Sequence, residues 1–285
     1  MNVTPQEEIA AGERFAFGAN WQSFLAGLNE TRIVRAEDSL RRMLEVSDLH
    51  GRTFLDIGCG SGLFSLAARR LGARVHSFDY DPRSVACARE LRERYFPLDT
   101  DWSVEQGSVL DNAYLDRLGL FDVVYSWGVL HHTGAMWQAL DNASGRVAHN
   151  GKLFIAIYND QGNISNRWRK VKRTYNSLPE GLRLLVTIPV LIHQYWRRIL
   201  KDFLRFRPFE SWRNEGKERG MSPWRDLVDW VGGYPFEVAK PEAILDFYLK
   251  RGFELRRLVT CGGSLGCNEF VFNRTVSGLL HGHTE

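Results

Sequence analysis

Phe54-Leu55-Asp56-Ile57-Gly58-Cys59-Gly60-Ser61-Gly62 places a glycine-rich turn directly after an apolar strand and before a helix. Glycine is needed there because a sharp strand-to-helix turn demands unusual φ/ψ values and because a ligand has to approach the backbone closely. Seventeen residues after Gly62, the run Val75-His76-Ser77-Phe78-Asp79 brings a second strand to an end on a carboxylate. A carboxylate at that place can accept hydrogen bonds from both ribose hydroxyls of a nucleoside. A nicotinamide-binding turn expects the pattern GxGxxG, whereas Gly58, Gly60 and Gly62 are spaced by two.

Outward from this turn, short apolar runs alternate with amphipathic segments, the signature of βα units building a parallel sheet. Strands are predicted at Thr53 to Ile57, Arg74 to Phe78, Ser103 to Gln106, Phe121 to Ser126 and Lys152 to Tyr158. Helices are predicted at Gly62 to Leu71, Pro82 to Tyr95, Asn112 to Leu118 and Ala135 to Ala148. Pro82 stands where proline is tolerated, at a helix start, with Asp81 before it as N-cap. After Tyr158 the alternation stops, and it resumes with a helix Glu242 to Lys250, a turn at Gly252 and two β-like runs, Phe253 to Thr260 and Glu269 to Asn273. Glu7 to Val46, with Leu25, Leu28, Ile33, Leu40 and Leu44 at helical spacing, reads as helical. The expected organisation is an N-terminal helical cap over residues 1–50, an α/β core over 51–160 and 240–275, and a helical insertion, basic and aromatic, over 161–239.

The 285 residues are 44% hydrophobic and 25% charged, with nine Trp, nine Tyr and 17 Phe, a composition that excludes a disordered chain. No run of 18 apolar residues is present to span a bilayer. Met1 to Ala11 carries two Glu and neither a basic cluster nor an apolar stretch, so no leader peptide is read there and the cytoplasm is the expected compartment. Cys59, Cys87, Cys261 and Cys267 have no CxxC spacing, which argues for reduced thiols over a disulfide scaffold or a zinc site. The net charge of +3 selects no partner, but its distribution is uneven. Residues 163–220 hold 14 Lys and Arg against five Asp and Glu, a local +9 that leaves the remainder at −6.

These motifs resemble those of the class I S-adenosylmethionine-dependent methyltransferases. The resemblance rests on Asp56 to Gly62 with Asp79, on Gln106-Gly107-Ser108-Val109-Leu110-Asp111 after the third strand, and on Phe121 to Thr133 around the fourth. It covers roughly residues 50–160 and 240–273. It implies a Rossmann-like seven-stranded α/β sheet, with S-adenosyl-L-methionine as donor and S-adenosyl-L-homocysteine as product. Within that family the chain is similar to the ubiquinone-biosynthesis O-methyltransferase-like small-molecule enzymes. Carried over residue by residue, Gly58, Cys59, Gly60 and Gly62 lie beside the methionine part of the donor, and Asp56 orients that loop or meets the amino group through water. Asp79 binds the ribose, Tyr80 packs on the adenine, and Ser108 and Val109 border its edge. Many members have Asp where Ser108 stands, which leaves the adenine contact to the backbone of Val109. Trp127 lines the site near the transferable methyl. Simple core packing is the competing use of Tyr80, Val109 and Trp127.

Methyl transfer is an in-line displacement, so the protein has to align the nucleophile, exclude water and in some cases accept a proton. His131 and His132 lie at the C-terminal edge of the predicted sheet, where open α/β folds bind ligands. Imidazole suits proton acceptance near neutrality; the resemblance equally allows a scaffold role, and His132 is favoured over His131 as base. Tyr158, Asn159 and Asp160 follow the fifth strand at the same edge, with Asp160 a candidate for catalysis or substrate binding. A lone carboxylate gives no basis for a metal, and none is expected. Trp224, Asp226, Trp230 and Tyr234, in the aromatic stretch Gly220 to Glu237, are substrate-pocket candidates. Phe17, Asn20 and Trp21, ahead of the first strand, are candidates for a lid. The insertion joins the apolar run Leu182 to Ile192 to Arg197, Arg198, Lys201, Arg205 and Arg207. It reads first as a lid or homodimer contact, next as a peripheral membrane contact, and last as an RNA surface. The expected activity is methyl transfer to a small-molecule acceptor through an oxygen nucleophile. Its rivals are a tRNA methyltransferase using the insertion, and a non-catalytic donor-binding module that docks a partner protein.

Overall fold

The computed structural model describes residues 4–204 and 223–275; the side chains at 19, 20, 22, 23, 197–204, 223, 225 and 226 lie outside that description. Among these residues, the strand-forming runs assemble as β1 (Thr53–Ile57), β2 (Arg74–Asp79), β3 (Trp102–Gln106), β4 (Phe121–Trp127), β5 (Val147–Tyr158), β6 (Phe253–Val259) and β7 (Cys267–Arg274). They form one seven-stranded sheet in the order β3-β2-β1-β4-β5-β7-β6. The first five are mutually parallel, and β7 runs antiparallel to both β5 and β6. The strand order reverses between β1 and β4, the place where an open α/β sheet leaves a crevice at its carboxyl edge.

Central strands are apolar on both faces because helices cover both. In β1, Phe54 faces a cluster with Ile33, Leu40, Leu66 and Leu91, while Leu55 faces another with Leu140, Ile244 and Tyr248. β5 divides in the same way, with Phe154 in the first cluster and Leu153 and Ile155 in the second. The first layer holds α3 (Glu30–Leu44), α4 (Leu63–Arg70) and α5 (Pro82–Tyr95); the second holds α6 (Asn112–Leu118), α7 (Met136–Ser144) and α11 (Pro241–Leu249). Asp81 caps α5 as expected, its Oδ1 accepting the Arg83 N–H at 2.9 Å.

Several boundaries differ from the sequence-based expectation. The N-terminal segment is three helices, α1 (Pro5–Ala10), α2 (Gly18–Ala26) and α3, rather than one continuous region. Gly12 breaks the first join at φ 72°, and a Cβ there would sit 2.5 Å from the Asn176 carbonyl oxygen. Asn29 restarts the chain as the N-cap of α3, accepting from Arg32 N–H at 3.1 Å. The helix expected to reach Ala148 stops at Ser144, because Val147 is drawn into the sheet opposite Phe121.

In the insertion, α8 (Asn163–Ser177), α9 (Leu184–Leu204) and α10 (Pro223–Gly232) share a small core in which Tyr175, Leu227 and Val231 pack on Phe15 from the N-terminal segment. The cap and the insertion therefore meet over the sheet edge. Phe154 tests the central packing: it is 1% exposed and its ring meets Tyr125 edge-on at 5.1 Å. Phe154→Ala should cost about 3–5 kcal/mol in urea unfolding, read as a lower midpoint with an unchanged slope.

Candidate active site

The turn after β1 is stitched to the end of β2. Gly58 and Cys59 donate their N–H groups to the Phe78 carbonyl at 2.9 and 3.1 Å, and Gly60 donates to Asp79 Oδ2 at 2.9 Å. Asp81 N–H donates to the other oxygen, Asp79 Oδ1, also at 2.9 Å. Gly58 and Gly60 have φ of 73° and 53°. A Cβ on Gly58 would lie 2.3 Å from Val129, and one on Gly60 would lie 2.9 Å from the Trp21 ring. Gly62, at φ 80°, serves instead to open α4.

Asp56 is buried at 2% exposure and is held by a hydrogen-bond chain that runs across β1, α4, β2 and β3. The Trp102 indole N–H donates to Ser77 Oγ at 2.9 Å, Ser77 donates to Ser65 Oγ at 2.7 Å, and Ser65 donates to Asp56 Oδ2 at 2.5 Å. Burial pushes the Asp56 carboxyl up to about 7, against the Ser65 hydrogen bond and with help from nearby Asp79. Burial likewise raises Asp79 to about 6, opposed by its two backbone N–H bonds. Two carboxyls poised near neutrality at a sheet edge favour a ligand that brings positive charge or hydroxyl donors.

A cavity of about 970 Å³ opens over these groups. From the cofactor candidates, Asp56, Gly58, Cys59, Gly60, Asp79, Tyr80, Ser108, Val109 and Trp127 line it, and Gly62 does not. Trp127 is 46% exposed and donates its indole N–H to Glu269 Oε1 at 3.1 Å, so it is a wall of the cavity rather than core. Ser108 Oγ accepts from Leu110 N–H at 3.1 Å, and the Val109 carbonyl accepts from Asn142 at 2.8 Å. Of the substrate candidates, Phe17, Trp21, Tyr158 and Trp230 line the same cavity.

Others are placed elsewhere. Asn159 accepts from Asn268 Nδ2 at 3.1 Å, and Asp160 turns its Oδ1 back to the Gly162 N–H at 2.8 Å, so both serve the turn after β5 instead of the cavity. Trp224 is exposed near the start of α10, and Tyr234 borders a separate groove. The side chains of Asn20 and Asp226 lie outside the described residues. Sequence reasoning missed Arg14, Gln194, Tyr195 and Cys267, which all line the cavity. The polar and aromatic mix of the stretch Gly220 to Glu237 held a signal for Asp229, which lies within it and lines the cavity. Arg14 offered none.

The two histidines have different surroundings. His131 is fully buried, its Nδ1 accepts the Tyr158 N–H at 3.3 Å, and its Nε2 has no hydrogen-bond partner among the described residues. It does not line the cavity, and its ring lies 4.0 Å from the Tyr158 ring between centroids. His132 lines the cavity, and its Nδ1 lies 2.6 Å from the Pro235 carbonyl oxygen. A carbonyl only accepts, so Nδ1 carries the proton and Nε2 keeps its lone pair. Burial pulls the imidazole down to about 3, so the ring is neutral at working pH. Phe17 packs on it at 5.0 Å, and Arg14 reaches over the cavity to donate to the His132 carbonyl at 3.0 Å with its guanidinium 4.7 Å above the Tyr80 ring.

The cavity suits the donor implied by the motif. Its volume lies in the range for a cofactor with a small acceptor, the two carboxylates meet polar and cationic parts, and Tyr80, Val109 and Trp127 supply flat or apolar walls. Asp79→Ala should weaken S-adenosylhomocysteine binding about tenfold or more by calorimetry, since it leaves ribose hydroxyls without an acceptor. Both carboxyls are raised, so their ionised forms cost stability as pH rises through about 6 to 7, and a bound ligand cation offsets that cost. The ligand-induced rise in Tm should therefore be larger at pH 8 than at pH 5.5; an equal rise at both would remove the two carboxylates from the binding surface.

Residues 55–153 match the family model described as Methyltransferase domain. The chain is 35% identical over 194 residues to the ubiquinone biosynthesis O-methyltransferase of Xanthomonas oryzae pv. oryzae, covering 63% of this chain and 70% of that protein. In three dimensions it resembles magnesium protoporphyrin IX methyltransferase from Synechocystis, crystallised with bound SAH, with a TM-score of 0.55 at 14% identity over 94% of this chain and all of that one. An O-methyltransferase family protein from Burkholderia thailandensis superposes with a TM-score of 0.51 at 15% identity, over 96% of this chain and 68% of that one. The glycine turn, the acid at the end of β2 and the strand order thus agree with an independent match in sequence and in fold: the chain belongs to the class I S-adenosylmethionine-dependent methyltransferases.

Proposed function

We propose that the chain transfers a methyl group to the oxygen of a small hydroxylated acceptor, with His132 as proton acceptor. The observation that carries this reading is the His132 tautomer: with Nδ1–H tied to Pro235, Nε2 is an uncharged acceptor in the cavity wall. S-adenosylmethionine supplies a methyl carbon made electrophilic by its positively charged sulfur. Asp79 holds the ribose end and Asp56 the methionine end, while Tyr80 and Val109 border the adenine. Tyr158, its phenol kept protonated by burial, and Asp229 and Trp230 from the insertion orient the acceptor. Phe17 and Trp21 from the cap, with α9 and α10, exclude water from the reacting groups. The oxygen is supported by the similarity to the ubiquinone biosynthesis O-methyltransferase of Xanthomonas oryzae pv. oryzae.

Residues 1–50 act as cap, 51–160 with 240–275 as core, and 161–239 as substrate lid on this reading. The exposed Leu185, Ile188 and Ile192 of α9 favour a contact surface there, for a second copy or a membrane face. No described helix is long and apolar enough to cross a membrane. Four free cysteines fit a reducing compartment, and we place the reaction in the cytoplasm.

Transfer of labelled methyl from S-adenosylmethionine into fractionated cell extract tests the acceptor class. Label should enter small polar or lipid-soluble molecules; label confined to RNA overturns the proposal. His132→Gln should lower kcat about a hundredfold while S-adenosylhomocysteine affinity stays within about twofold. Because the imidazole sits near 3, wild-type kcat should show no limb near 6.5, whereas the donor KM should rise as pH falls below about 7 through Asp56. A kcat limb at the ordinary histidine value that vanishes in the variant would contradict the assigned tautomer and burial.

A further inference from the structure

A second cavity, of about 600 Å³, lies against the outer face of α8 and shares no lining residue with the first. Arg167, Arg169, Lys170 and Arg173 border it, and no acidic side chain among the described residues does. Along the whole of α8 the charged residues are Arg167, Arg169, Lys170, Lys172 and Arg173, all basic. Such a helix carries repulsion that i, i+4 acids would ordinarily relieve, and its first turn lacks the acid that the helix dipole favours. Arg167, Lys170 and Arg173, spaced by three on one face, make no ion pair or hydrogen bond among the described residues.

One of the four cations is held in place. Arg169 donates Nε–H to the Phe236 carbonyl at 3.1 Å and a terminal N–H to Asn166 Oδ1 at 2.8 Å, which sets its guanidinium plane and leaves further N–H donors. Asn163, Asn166 and Tyr234 complete the lining with neutral polar groups. A planar guanidinium, three further cations and neutral donors, with no carboxylate, match the charge and geometry of phosphate oxygens. The concavity is larger than a single phosphate needs. One chain segment supports both places: within Tyr234-Pro235-Phe236, Tyr234 lines the groove, Phe236 O holds Arg169, and Pro235 O holds His132.

We propose that this groove binds the phosphate or pyrophosphate group of a small ligand, one residue of chain away from the support of His132. The ligand chemistry is shared by a soluble phosphorylated compound and a phospholipid headgroup. This site stands apart from the acceptor reading above, and donor binding reports separately on the fold.

Calorimetric titration of the full chain with inorganic pyrophosphate should give saturable one-to-one binding. Arg167→Gln, Lys170→Gln and Arg173→Gln together should weaken it about tenfold or more, with S-adenosylhomocysteine affinity unchanged as evidence of intact folding. Absence of saturable binding, or equal binding by the triple variant, overturns the site. In flotation with phosphatidylglycerol vesicles, binding that pyrophosphate displaces assigns the phosphate to a lipid headgroup, and pyrophosphate binding without flotation assigns it to a soluble compound; both support the groove. Stoichiometric tRNA binding that falls steeply with salt and is lost in the triple variant, with no pyrophosphate binding, replaces the small ligand by RNA and overturns the proposal.

Discussion

The carboxylate of Asp79, accepting the N–H groups of Gly60 and Asp81, joins the glycine turn after β1 to the start of α5. Asp81 extends the junction by accepting the Gly18 N–H at 3.0 Å, which brings the N-terminus of α2 down onto the sheet edge. Trp21, one turn into that helix, then lies against Gly60, so three elements far apart in sequence meet around one acid. Withdrawing a carboxylate from water is costly. Two backbone donors offset part of that cost and leave Asp79 titrating near neutrality.

The opposite end of the cavity depends on a cation. Lys172 of α8 is fully buried, donates to the Trp230 carbonyl, and lies 4.3 Å from the Trp230 ring and 4.9 Å from that of Phe236. Burial lowers it to about 7, while Asp229 favours its charged form. A desolvated ammonium is tolerated when carbonyl, aromatic faces and a carboxylate surround it. Asn176, one turn on, donates to the Gly232 carbonyl at 2.6 Å. The inward face of α8 therefore fixes α10, and with it the loop to Pro235 that holds His132, while the outward face carries Arg167, Lys170 and Arg173, which make no ion pair among the described residues. One helix thus braces the large cavity on one side and borders the basic groove on the other.

Much of the fold was legible because its signals are local. Every predicted core strand and the helix at Pro82 were found within a few residues of their places, since apolar periodicity, a glycine turn and a proline at a helix start act over single elements. The N-terminal cap was less legible: Gly12 ends a helix by meeting Asn176 in the insertion, a contact that its neighbours in sequence do not reveal. Within the site, Asp79 and Gly60 were readable from motif spacing. The separation of His131 from His132 was not, because adjacent side chains on a short 3-10 turn point in different directions and the packing of Tyr158 decides which is covered.

The amino-acid sequence by itself determined the parallel α/β core, the glycine turn with its acid, and a basic, aromatic insertion after the fifth strand, since these follow from side-chain period and backbone freedom over ten or twenty residues. Only the tertiary structure decided that Asp160 serves a turn, that Arg14 spans Tyr80 and His132, and that Asp229 and Trp230 face the reaction cavity while Tyr234 borders another groove. Those outcomes depend on the phase of α10 and on hydrogen bonds between residues a hundred or more positions apart, such as His132 with Pro235. Such contacts are set by how packed layers bring loops together, and no local pattern in the chain encodes them.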